Sequence, residues 1–130
     1  MAKWTDAGEN KVADCFFKGT TRPSFYVGLY TNVSEPAEGA ALTDITEPSG
    51  YNYARQAVAD GDWTLTTDHV TAPELTFTAT GGSWGTITGW FLCNVSSGTS
   101  GIVMAVETFG SSYLMTDGST LKLTATITVG

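Results

Sequence analysis

The segment Leu121–Val129 alternates with a strict period of two. Leu121, Leu123, Ala125, Ile127 and Val129 fall on one side, and Lys122, Thr124, Thr126 and Thr128 on the other. Such a stretch can only be an extended strand with one face on a core and one in water, the pattern of an antiparallel sheet. Leu75, Phe77 and Ala79 alternate in the same way with Thr76, Thr78 and Thr80. Threonine is the commonest residue and glycine, with 15 copies, comes next. Threonine suits a pleated, half-buried surface and glycine marks turns, so the whole chain leans to β.

Further strands are predicted at 25–30, 53–58, 86–94 and 102–107, with 63–67 pairing back on 53–58 across Asp60-Gly61-Asp62. Glycine- and serine-rich turns separate the later ones at 96–101 and 110–119. Residues 31–52, with two prolines and four acids, read as a long surface loop holding a short edge strand near 42–45. About seven short strands point to an antiparallel β-sandwich of jelly-roll-like topology. The length of 130 residues is that of one domain, spanning 1–130.

One helix precedes the strands, at about 6–18. Asp6 can cap it, and Glu9, three residues on, can complete a capping box. Val12 and Phe16 fall four apart, with Ala13 and Phe17 beside them, which predicts an apolar stripe packed on the domain. Lys18-Gly19 is a C-terminal stop.

The balance of 6 Lys+Arg against 13 Asp+Glu, net −7, repels phosphate backbones and anionic bilayers, so neither nucleic acid nor membrane is an expected partner. No apolar run approaches the roughly 18–20 residues that cross a bilayer. The opening Met-Ala-Lys-Trp-Thr-Asp has no apolar stretch behind its lysine, and no signal peptide is expected.

The same inventory argues against an active site. Cys15 and Cys93 are expected to be small buried thiols, although their spacing leaves a disulfide between them open. His69 is the sole imidazole, so a Cys/His zinc site lacks ligands and a nucleophile lacks a positioned base. Asp60-Gly61-Asp62 has the acid spacing of a calcium loop but lacks its other ligands, and reads as a turn. Gly81-Gly82-Ser83-Trp84-Gly85 contains no phosphate-binding pattern. No catalytic residue, metal or cofactor is expected.

Four Trp and five Tyr on such a scaffold either fill the core or form a platform on which sugars stack. Trp90 and Leu92 share one face of their strand with Thr88, while Ile87, Phe91 and Cys93 share the other. Both faces are apolar, and a two-layer fold covers only one. Either the helix, through Phe16 and Phe17, or a neighbouring subunit is expected to cover the face bearing Trp90 and Leu92.

Several segments carry a family resemblance. Phe25-Tyr-Val-Gly-Leu-Tyr-Thr31 is followed by Leu42-Thr-Asp-Ile-Thr-Glu-Pro-Ser-Gly50, Tyr53-Ala-Arg-Gln-Ala57 and Leu75-Thr-Phe-Thr-Ala-Thr80, and then by Trp84-Gly-Thr-Ile87 and Gly118-Ser-Thr-Leu-Lys122. In this order they resemble small virion proteins of tailed bacteriophages, members of which are labelled tail fibre proteins or capsid decoration proteins. Gly118-Ser119 stands where Gly-Asp is frequent in that family.

The resemblance implies a virion structural protein without an active site, with Arg55 as a fixed ion-pair or interface donor. With no heptads and no repeats, a decoration (cement) protein on the outer capsid surface is the expected role. Its implied partners are the major capsid protein and itself, as a homotrimer. Capsid contacts are expected near Trp4 or in the 31–52 loop. A receptor- or carbohydrate-binding module of the tail is the alternative.

Overall fold

The computed structural model describes residues 2–128. It comprises β1 (Lys3–Trp4), α1 (Asp6–Lys18), β2 (Phe25–Tyr30), β3 (Gln56–Val58), β4 (Thr64–Thr66), β5 (His69–Thr71), β6 (Leu75–Thr78), β7 (Gly85–Cys93), β8 (Val103–Met115), β9 (Thr120–Leu123) and β10 (Thr126–Thr128). The strands pair antiparallel in three sheets, in the orders β1-β8-β7-β2-β3, β10-β5-β4 and β6-β9. The chain is thus mainly β with one helix, as its alternations predict.

The run from Leu121 keeps its inward apolar positions: Leu121, Leu123, Ala125 and Ile127 are all buried, and Val129 lies outside the described residues. That run is nonetheless two strands. β9 pairs with β6 and β10 with β5, so one apolar face serves two sheets. Trp63–Thr67 does not return to the 53–58 segment. Thr64–Thr66 instead forms a hairpin with His69–Thr71, because Asp60–Asp62 winds into a 3-10 turn that redirects the chain. The edge strand near 42–45 is likewise a 3-10 turn, Leu42–Asp44, closed by the Asp44 carboxylate accepting from Ala41 N at 2.9 Å. β8 runs through the expected turn around Gly110 and ends at Met115.

The helix occupies the expected span, but its cap is not Asp6. Thr5 is the cap: its hydroxyl accepts from Gly8 N at 3.0 Å and donates to the Val103 carbonyl. The buried junction with β8 selects Thr5, because a hydroxyl there satisfies backbone groups on both sides. Gly19 ends the helix in the left-handed conformation, with φ 68°. α1 rests on β8 through Gly8, where an added Cβ would lie 2.1 Å from the Met104 carbonyl oxygen. The apolar stripe does not pack: Phe16 and Phe17 are 80% and 81% exposed, and Val12 is 43% exposed.

Two cores flank the large sheet. The main one draws on all three sheets and holds Val27, Leu29, Trp90 and Leu92 together with Leu75, Phe77, Leu121 and Ile127. The second holds Tyr30, Leu42, Phe91, Cys93, Val103 and Val106. Both faces of β7 are therefore covered within the chain, by neither expected cover. The smaller sheets close over Trp90 and Leu92, and the 31–52 loop, through Leu42 and Ile45, closes over Phe91 and Cys93. A register shift between Ile87 and Gly89 breaks the alternation of β7, and Ile87 joins Trp90 in the main core instead of Phe91.

Candidate functional site

Two places concentrate the residues that the sequence singles out. The first is a clamp beneath the 31–52 loop. Tyr53-Ala54-Arg55 lies just before β3, with Tyr53 packed on the main core and Arg55 over Phe91 of the second, and Glu47 meets both from the loop. Arg55 binds the Glu47 carboxylate through Nε at 3.0 Å and Nη2 at 2.7 Å. It also donates to the carbonyls of Val95 at 3.0 Å and Gly98 at 2.8 Å, while its guanidinium lies 5.4 Å from the centre of the Phe91 ring.

The Tyr53 hydroxyl donates to Glu47 Oε1 at 2.6 Å and accepts from Leu29 N at 2.9 Å. Burial and the adjacent carboxylate push that phenol well above its usual range, so it stays a proton donor. The Glu47 hydrogen bonds hold the Arg55 guanidinium charged. Arg55 is thus an ion-pair partner, and its side chain, 4% exposed, belongs to the interior. What the clamp can do is hold the long loop onto the sheet.

The second place is an apolar groove of about 330 Å³ between α1 and the large sheet, lined by Trp4, Val12, Phe16, Pro23, Phe25 and Met104. Trp4 is fixed by its indole N–H, which donates to the Thr128 carbonyl at 2.7 Å. Phe25 packs edge-on against Trp63, ring centres 5.6 Å apart. Trp63, Trp4 and Leu92 line an adjoining hollow, and the Trp63 indole N–H is buried without a hydrogen-bond partner among the described residues. Lys11 and Arg22 flank the groove, and Arg22 reaches Asp60 at 3.0 Å. At the exposed end of the helix the Phe16 and Phe17 rings meet edge to face, 5.0 Å apart.

The structure therefore brings Trp4 and Phe16 together, sets Phe17 beside them, and leaves Arg55 in its clamp. Trp90 is wholly buried, with its indole N–H donating to Glu107 at 2.8 Å, and Leu92 is 1% exposed. Neither offers a surface to another subunit, because the chain's own sheets cover them. Sequence reasoning missed Phe25, Trp63 and Met104. For Phe25 the signal is that β2 is apolar on both faces; Trp63 and Met104 come from other parts of the chain, and no local pattern places them here.

None of the four tryptophans is exposed, so they form no open platform for a sugar. Both cysteines are free; Cys93 is buried, which pushes its thiol up, and Cys15 is half-buried in the groove wall. Among the described residues the acids of the Asp60-Gly61-Asp62 turn belong to no cluster that could hold a metal ion, and Asp60 faces Arg22. Among the described residues no helix is long and apolar enough to cross a membrane.

A family model described as Podophage GP4 fiber I protein gp80 matches residues 3–129. No curated protein matches the chain.

Proposed function

This chain belongs to the podophage GP4 fiber I protein gp80 family, a family of phage virion proteins, and we propose that it is a non-catalytic structural module of a virion fibre. The observation that carries this reading is the span of the family match, which takes in the helix, the clamp and every described strand. Two further features support it. The acids of known contact serve structure: Glu47 holds Arg55, Asp60 holds Arg22 and Asp44 closes a turn. The most exposed aromatic side chains, Phe16 and Phe17, carry no polar atoms, and so suit contact with protein better than hydrogen bonding to sugar.

A second reading, a decoration protein bound to the major capsid protein on the outer shell, rests on the compactness of the fold. The described residues form no shaft, and a small β-unit suits a shell covered in many copies. The 31–52 loop, the expected capsid contact, supports that reading less well, since Leu42 and Pro48 are buried beneath it and Arg55 binds it down.

Virions lacking this protein separate the two. For a fibre module, adsorption to host cells falls while heat resistance is unchanged. For a decoration protein, DNA escapes at lower temperature and adding the purified protein restores it, since a ligand of the assembled shell stabilises that shell by mass action.

A further inference from the structure

α1 is seated on the sheet at one end only. Thr5 N donates to the Met104 carbonyl at 2.9 Å, and Gly8 lies so close to the same carbonyl that no side chain fits between them. Of the thirteen helix residues Gly8 alone is buried. The far end is tied weakly. Gly19 closes the helix at φ 68°, with no atom within 4 Å of where a Cβ would stand. Residues 19–22 are exposed and belong to no regular element. The Arg22–Asp60 ion pair that follows is solvent-exposed on both sides, and such pairs contribute little.

Beneath the loosely tied end lies the apolar groove of about 330 Å³. Val12 and Phe16, four apart on the helix, form one wall of it and yet are 43% and 80% exposed. Trp4, Pro23, Phe25 and Met104 form the other wall. An unfilled apolar groove beside an unburied apolar stripe is the reverse of the close packing that interiors adopt. A tilt of the helix about its first turn withdraws both from water.

From this we infer that α1 is a lid: it pivots on Thr5 and Gly8, bends its exit at Gly19, and closes the groove by seating Val12 and Phe16 on Phe25 and Met104. The occupant of the groove is thus the chain's own helix, and any partner that uses the groove has to displace it. Closing removes apolar surface from water but orders two side chains and the 19–22 exit. These opposing effects are of similar size, so open and closed forms are both populated. Phe17, 81% exposed, does not line the groove and takes no part. The lid goes beyond the fibre reading and does not depend on it.

Titration of the full chain with Nile red, a neutral dye that fluoresces on leaving water, tests the lid. Binding to the open form alone is weakened in proportion to the closed fraction, so Phe16→Ser should tighten it about twofold. Melting temperature should be nearly unchanged, and Phe17→Ser should bind the dye as the wild type does. A fixed open groove behaves oppositely, since Phe16→Ser strips it of a wall. Weaker or unchanged binding by Phe16→Ser overturns the inference, as does an equal gain in Phe17→Ser.

Spin-label distances read the motion without any ligand. Nitroxides are placed at Lys18→Cys on the helix end and at Ala57→Cys, exposed on β3, in a Cys15→Ser background. Two distances should appear, and Phe16→Ser should abolish the shorter. A single distance in the otherwise unaltered chain overturns the lid.

Discussion

Glu47 and Arg55 are joined by two parallel hydrogen bonds, of 3.0 and 2.7 Å, across the boundary between the 31–52 loop and the second core. The pair sits where a 25-residue excursion between β2 and β3 has to be returned to the sheet. With Tyr53 on the same carboxylate and two backbone carbonyls on the guanidinium, every partner in the clamp is satisfied. Such an arrangement is costly to break from one side, because a buried charge is then left without its partner.

Arg55→Ala is therefore expected to lower stability by about 3 kcal/mol, read as a fall in the urea midpoint. Arg55→Lys should recover only part of the loss, since an ammonium cannot span both carboxylate oxygens and both carbonyls.

Alkaline pH probes the same clamp. Burial raises the Tyr53 and Tyr30 phenols above their ordinary value near 10. In the pH range just above 10 the unfolded chain releases these protons while the folded chain keeps them, so stability is full below that range and falls as pH rises through it. Thermal melts of wild type and Tyr53→Phe between pH 8 and 11 check this. The variant should be less stable at pH 8, having lost a hydrogen-bond donor, yet fall less steeply above pH 10.

Gly8 is the point at which α1 touches β8. Gly8→Ala places a methyl group against the Met104 carbonyl, 2.1 Å away where contact needs more than 3 Å, and backbone cannot rotate aside. Helix propensity favours alanine by up to about 1 kcal/mol, and the clash outweighs it. A net loss of about 1–3 kcal/mol in denaturant unfolding is expected.

Trp90 and Phe16 should behave as opposites. Trp90→Ala empties the centre of the main core and leaves Glu107 without the indole N–H, at an expected cost of about 3–5 kcal/mol. Phe16→Ser removes an exposed ring and should change monomer stability by no more than about 0.5 kcal/mol. Calorimetry of both variants at low protein concentration measures the contrast.

How much of this could be read from the residues depends on how local the cause is. The alternation at Leu121–Ile127, the β2 strand and the helix bounded by Gly19 follow from spacing alone, and each occurs where the spacing puts it. The cover over Phe91 does not follow from spacing. Leu42 reaches the sheet through a 3-10 turn within a loop that looks polar, and Arg55 ties that loop, through Glu47, to the carbonyls of Val95 and Gly98, 40 and 43 residues away in sequence. The helix stripe misled for the opposite reason. A period of four predicts that Val12 and Phe16 share a face and says nothing of whether the sheet extends beneath them. Of the surface residues, Trp4 and Phe16 meet in one groove, whereas Trp90 looked superficial because its covering sheets lie far along the chain.

Gold labelling of intact virions with an antibody to this chain, viewed by cryo-electron microscopy, tests the fibre reading most directly. Label confined to fibres, in a handful of copies per particle, is the predicted result. Label spread evenly over the shell in hundreds of copies would contradict it.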